Sequence, residues 1–192
     1  MSIRASLLIA SCKLAGLANG AMPATFAYFK KNGIKFTGTM SDCVGTVTLA
    51  RIADHGNGRF DFDPQGFPAL VCEVMGKDGE TAIDLIAWPI DRPDRVLTMF
   101  GRCGLIGLHY ATNPASYAWG DPLPIYRTPL DLFRAGYRGA AVAIPRIAAT
   151  EILELPGNVA GVDLDHGRSI QDLLKTVISG RVLVPANRRV AA

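Results

Sequence analysis

Few of the usual marks of a known chemistry occur in these 192 residues. There is no P-loop and no GxGxxG, so neither common phosphate-cradling loop is present. No CxxC occurs among the four cysteines, Cys12, Cys43, Cys72 and Cys103, which argues against a structural zinc site. Four cysteines in so long a chain cannot staple a disulfide scaffold, and a reducing compartment fits them best. No Ser/His/Asp or Cys/His arrangement can be read from spacing. No uninterrupted apolar run reaches the roughly 18–20 residues that span a bilayer. The expectations are therefore a cytoplasmic protein, no membrane partner and no small-molecule cofactor.

What is present is a core-forming composition, 49% hydrophobic and 19% charged, which excludes a disordered chain. The net charge is +3 and lies wholly in the second half. Residues 1–90 carry 8 basic and 8 acidic side chains, whereas residues 91–192 carry 12 and 9. The bases are Arg-rich, 14 Arg to 6 Lys, and arginine is the better partner for phosphate or carboxylate.

Periodicity divides the chain into unlike parts. A helix is predicted from about Ala5 to Ala18, and a second from Ala24 to Lys31, started by Pro23 and ended by Asn32-Gly33. Ile9-Ala10-Ser11-Cys12 has the look of a lipoprotein cleavage box. Eleven preceding residues are fewer than secretory signals use, so the helix is preferred. Strands follow at 36–40 and 44–52, then an alternating Arg59–Asp63.

The strongest local signal is a hairpin, with Asp78-Gly79 as its turn. Symmetric pairing about that turn sets Met75 against Ala82, Glu73 against Asp84 and Val71 against Ile86. One face then reads Leu70, Cys72, Val74, Ile83, Leu85, Ala87. The other brings two carboxylates together, a candidate functional pair unless an arginine such as Arg95 or Arg102 neutralises it. A one-residue bulge would separate the two altogether.

A strand is expected over 95–102, then an irregular stretch from Gly104 to Gly120 containing His109, Tyr117 and Trp119. Beyond it strands and helices alternate. Pro124–Tyr126 reads as a strand and Thr128 as a helix cap with Asp131 closing a capping box. Ala140–Ile144, Asn158–Val162 and Val182–Val184 read as buried strands. Helices are expected from about Ile147 to Glu154, and from Ile170 to Ile178 behind a Ser169 cap. The fold expected is mixed, α+β and α/β: N-terminal helices with an antiparallel hairpin region over 1–115, a small parallel α/β sheet over 116–186, and a basic tail at 187–192.

Four stretches then form a recognisable order. They are Pro122-Leu-Pro-Ile-Tyr-Arg-Thr-Pro-Leu-Asp, Arg134-Ala-Gly-Tyr-Arg-Gly, Leu155-Pro-Gly-Asn-Val-Ala-Gly-Val-Asp-Leu-Asp-His-Gly-Arg and Gly180-Arg-Val-Leu-Val-Pro. With the hairpin of 68–80 ahead of them, they resemble the Toprim domains of phage and mobile-element primases, over residues 66–186. The resemblance implies a Glu-Gly at the end of the first strand and an Asp-x-Asp motif that together hold metal. Here the first position is Arg127-Thr128, and Asp163-Leu164-Asp165 is followed by Gly167 one residue early.

A degenerate site is therefore expected, with Arg127 pairing with Asp163 or Asp165 where metal charge would sit and no catalytic residue. Arg134, Arg138, Arg146 and Arg168 are candidate phosphate contacts. The function this implies is a non-enzymatic phage-type module binding nucleic acid or a replication or defence protein. The alternative is a metal-dependent phosphoryl-transfer enzyme or nuclease built on Asp163 and Asp165, the only case in which Mg²⁺ or Mn²⁺ is expected.

Overall fold

The computed structural model of the protein describes residues 3–35, 37, 40 and 44–181. The strand expected at Val182–Val184, the basic tail at 187–192 and most of the strand expected at 36–40 lie outside the described residues. The fold is mixed α+β: an N-terminal helix, an antiparallel sheet of five strands, and a second sheet of four strands with helices between them.

Helix α1 is Ile3–Lys31, and Pro23 lies inside it. The two helices expected here are one. A proline in a helix interior costs about 3 kcal/mol. Against that, Leu7, Leu14, Tyr28 and Phe29 are all buried, at roughly 1.5–3 kcal/mol each. Just after the proline, Thr25 Oγ1 donates to the Ala21 carbonyl at 3.0 Å and accepts from the Leu49 amide at 3.0 Å. Docking therefore outweighs the break. The helix stops where Gly33 takes φ 70° and the Ile34 amide returns to the Phe29 carbonyl. As one element of 29 residues, α1 is long and apolar enough, by length and composition, to cross a membrane.

Strands β1 (Val44–Asp54), β2 (Phe60–Phe62), β3 (Phe67–Met75), β4 (Ala82–Pro89) and β5 (Leu97–Thr98) form the first sheet in the order β2-β1-β3-β4-β5. The strand expected over 95–102 shrinks to the two residues of β5. An isolated bridge between Arg59, beside β2, and Thr98 of β5 joins the two edges, so the sheet curls onto itself. One face gathers Ala50, Ala69 and Ala87 with Ile52, Phe60, Val71, Leu85 and Leu97, and is plugged by Leu7 and Leu14 of α1. Three alanines there suit a tightly curled interior, where large side chains would not fit.

Strands β6 (Leu105–Ile106), β7 (Leu123–Tyr126), β8 (Ala140–Val142) and β9 (Val159–Gly161) form the second sheet, ordered β6-β8-β7-β9. β7 runs parallel to both β8 and β9, while β6 is antiparallel to β8. Between them lie α2 (Leu108–Thr112), a 3-10 turn (Pro114–Tyr117), α3 (Pro129–Arg134) and α4 (Pro145–Leu153), and α5 (Leu164–Arg181) follows β9. Thr128 caps α3 as its sequence says, accepting from the Asp131 amide at 3.1 Å. Gly139 has φ 135°, and a Cβ there would meet the Pro124 carbonyl at 2.4 Å, so β7 and the entry to β8 can approach only at a glycine.

The sheet holds the expected parallel strands, β8-β7-β9, with the antiparallel β6 added at its edge, and its first strand starts at Leu105. The halves also share a core: Leu70, Cys72, Ile86 and Trp88 of the first sheet pack with Leu130, Phe133 and Tyr137 around α3.

Candidate functional site

The carboxylate pair expected on the hairpin does not form. Met75 pairs with Ala82, but then Val74 pairs with Asp84 and Glu73 with Leu85. Ile83 is the extra residue of a bulge, which turns Asp84 to the face of Cys72 and Ile86 and leaves Glu73 on that of Leu85. The apolar face expected is split the same way, Leu85 and Ala87 going to the curled interior.

Each carboxylate has main-chain work instead. Glu73 Oε2 accepts the Thr46 amide at 2.7 Å, inside the irregular pairing between Val44 and Val47 of β1. Asp84 is fully buried and accepts four amides: Leu85 and Phe100 at Oδ1 (both 2.8 Å), Arg102 and Cys103 at Oδ2 (2.6 and 3.2 Å). Arg102 thus reaches Asp84 through its backbone. Arg95 pairs with Asp54 and not with the hairpin.

The C-terminal ends of the parallel strands are where such sheets bring ligand-binding groups together. β7 lies between β8 and β9, so its end and that of β9 are adjacent. There Arg127 Nη2 donates to both carboxylate oxygens of Asp163, at 2.8 and 2.9 Å. The pair is about half exposed on each side. Asp163 Oδ1 also accepts the His166 amide at 2.9 Å, and so caps α5. The helix begins at Leu164, and Ser169, expected as its cap, lies within it and donates to the Asp165 carbonyl at 2.9 Å.

The guanidinium of Arg127, then the His166 amide, hold the Asp163 carboxyl below its ordinary range. His166 is buried, and its imidazole is held below its ordinary value by burial and then by the Arg127 charge. Its Nδ1 faces the Val162 amide at 3.4 Å as acceptor. Asp165 points away from this group and pairs with Arg168 at 3.6 Å, both well exposed.

The four candidate phosphate contacts fall at two ends of the sheet. Arg146, in the first turn of α4, and Arg168, in the second turn of α5, follow the C-terminal ends of β8 and β9. Arg146 is exposed and has no ion-pair partner among the described residues. Arg134 and Arg138 precede β8 and lie at its other end. Arg134 is occupied, donating to the Asn32 carbonyl (2.9 Å) and to Asp131 (3.2 Å). Arg138 is exposed.

Sequence reading passed over Glu151, a lone acid in an otherwise apolar stretch of α4, which was its only signal. Its Oε2 accepts the Leu105 amide at 2.7 Å. Burial pushes its carboxyl up to about 7, against the pull of the Leu105 amide and the Lys77 charge. Cys103, between the Asp84 and Glu151 contacts, is fully buried, and burial followed by those two carboxylates drives its thiol well above the ordinary range. His109 packs on the hairpin turn, its Nδ1 3.1 Å from the Lys77 carbonyl.

Among the described residues there is no group of three or more His, Cys, Asp or Glu side chains able to hold a metal ion. An open cleft of about 610 Å³ lies between β9, an edge strand among the described residues, and α5, lined by Asn158, Gly161, Asp163, Arg168 and Gln171 among others. Comparison with family models, with curated proteins and with solved structures finds no match to this chain.

Proposed function

We propose that the chain is a non-catalytic binding module whose α/β half contacts the phosphates of a nucleic acid. The observation that carries this reading is the engagement of both Asp163 oxygens by Arg127. A Toprim-like site needs converging carboxylates with lone pairs free for Mg²⁺. Here a permanent cation sits on that carboxylate, and the second aspartate of the motif, Asp165, faces Arg168. The chemistry left at this edge is cationic. Arg127 and Arg168 can exchange exposed carboxylates for phosphates, and Arg146, at the end of the neighbouring strand, has no ion-pair partner among the described residues. The basic excess of the chain after residue 90 favours the same class of ligand.

The test is binding of a labelled DNA or RNA duplex and single strand over a series of salt concentrations. Affinity should fall with salt, and Arg146→Ala should reduce the slope of log K against log salt by roughly 1. Asp163→Asn should leave affinity unchanged or raise it. Affinity independent of salt would overturn the reading, as would Mn²⁺-dependent cleavage that Asp163→Asn abolishes.

A further inference from the structure

The outward face of α1 has a composition that surface helices of soluble domains rarely carry. Buried Leu7, Leu14, Tyr28 and Phe29 hold one side of the helix on the sheet. On the rest of its surface Leu8 (66%), Ile9 (57%), Met22 (52%) and Phe26 (56%) stand in solvent. With Ile3 and Leu17, α1 holds six of the twelve exposed large hydrophobic residues among the described residues. Its charges are Arg4, Lys13, Lys30 and Lys31, and it contains no aspartate or glutamate. Among the described residues, none places an atom within 4 Å of a Cβ built on Gly16 or Gly20 of this face.

We infer that this face of α1 lies on a lipid bilayer bearing anionic headgroups, with the helix axis in the membrane plane. Apolar side chains that enter the acyl boundary, beside basic ones that meet lipid phosphates, are the two components of interfacial binding. Charge decides between occupants. Lys13 is turned to the sheet, its Nζ 5.1 Å over the Phe62 ring, which leaves Arg4, Lys30 and Lys31. A second copy apposing the same face would set these three bases against three with no acid on α1 to answer them, whereas anionic headgroups complement all three. The orientation follows from the docked side. Crossing the membrane would strip Leu7, Leu14, Tyr28 and Phe29 from the sheet and break the Thr25–Leu49 hydrogen bond. Lying on the surface keeps every one of these contacts. This inference uses a different face from the nucleic-acid reading and stands without it.

Co-sedimentation of the full chain with vesicles tests it, comparing phosphatidylcholine alone with phosphatidylcholine–phosphatidylglycerol mixtures. The protein should pellet with the anionic vesicles, and high salt should release most of it. Lys30→Gln/Lys31→Gln should weaken binding on the order of 30-fold, at the usual strength of about 1 kcal/mol per basic residue. Leu8→Asp/Phe26→Asp, at two positions more than half exposed, should abolish it while circular dichroism stays unchanged. Three results would each overturn the inference. One is wild-type protein left in the supernatant with both vesicles. Another is vesicle-bound protein that alkaline carbonate fails to extract, which would show a spanning helix. The third is a sedimentation-velocity dimer that Leu8→Asp/Phe26→Asp dissociates.

Discussion

Asp84 and Glu151, sixty-seven positions apart, grip the same short linker: between them they accept the amides of Phe100, Arg102, Cys103 and Leu105. That linker carries the chain from β5 of the first sheet to β6 of the second. A segment with no room for a regular ladder must still satisfy its buried N–H groups, and here two carboxylates do so. The junction between the sheets is thus fixed by side chains from β4 and α4.

Asp84→Ala would leave four amides, at least three of them in the linker, without their acceptor. Each buried unsatisfied amide costs about 1–3 kcal/mol. Two of the four, those of Leu85 and Cys103, belong to buried residues, whereas water can reach the amides of half-buried Phe100 and exposed Arg102. The variant should therefore lose at least about 2 kcal/mol in urea unfolding. Asp84→Asn keeps one acceptor oxygen and should fall between. A loss under about 1 kcal/mol in Asp84→Ala would show that water replaces the carboxylate and that the linker does not depend on it.

Glu151 gives the junction a pH dependence of known sign. Its folded value of about 7 lies above the ordinary carboxyl value of 4.5, so the folded state holds the proton more tightly than the unfolded one. Stability from this group is therefore greatest below about pH 4.5 and declines as pH rises toward 7. Glu151→Gln retains an acceptor for the Leu105 amide and removes the titration. Melting curves from pH 5 to 8 should show the variant gaining on wild type as pH rises. His166 and every other titrating group are common to both proteins, so the difference isolates Glu151. Parallel curves would mean that the carboxyl titrates in its ordinary range.

The elements legible in the sequence were those specified by neighbours in the chain. Asp78-Gly79 made the hairpin, and Thr128 with Pro129 and Asp131 made the start of α3. What stayed hidden was decided at a distance. Ile83 fits an in-register strand as well as a bulge, and only the demand of the 100–103 amides for Asp84 selects the bulge. Pro23 is a sound helix start unless burial on both sides of it makes a continuous helix better. Ser169 is as good a cap as Asp163 until Arg127, from another strand, holds the aspartate in place. The motif position points Arg127 at Asp163 or Asp165 without choosing between them, and it says nothing of their exposure, because burial depends on what packs above the sheet edge.

That exposure sets the size of the Arg127→Ala effect. A buried pair would leave a costly orphaned carboxylate, whereas a half-exposed Asp163 is simply hydrated. The melting temperature should fall by no more than about 3 °C, and less in high salt. NMR titration should show the Asp163 carboxyl moving up toward its ordinary value in the variant, since Arg127 is the largest influence holding it down. Collapse of the fold in Arg127→Ala would sink this account and restore a buried structural pair.

Trp88 offers the decisive probe of whether the two sheets unfold as one. It is fully buried on β4, its ring packed edge-on against Phe133 of α3 at 5.3 Å, with Phe133 in turn against Tyr137 at 5.4 Å. The other tryptophan, Trp119, is 93% exposed, so Trp119→Phe leaves a protein whose fluorescence reports the shared core alone. In that background the fluorescence and far-ultraviolet circular dichroism transitions should coincide in urea, because neither half can bury this aromatic cluster without the other. Phe133→Ala should lower both midpoints together, at a cost of about 3–5 kcal/mol. Two separated transitions, with Trp88 responding in only one, would mean that the sheets are independent units and that the cluster is a surface contact between them.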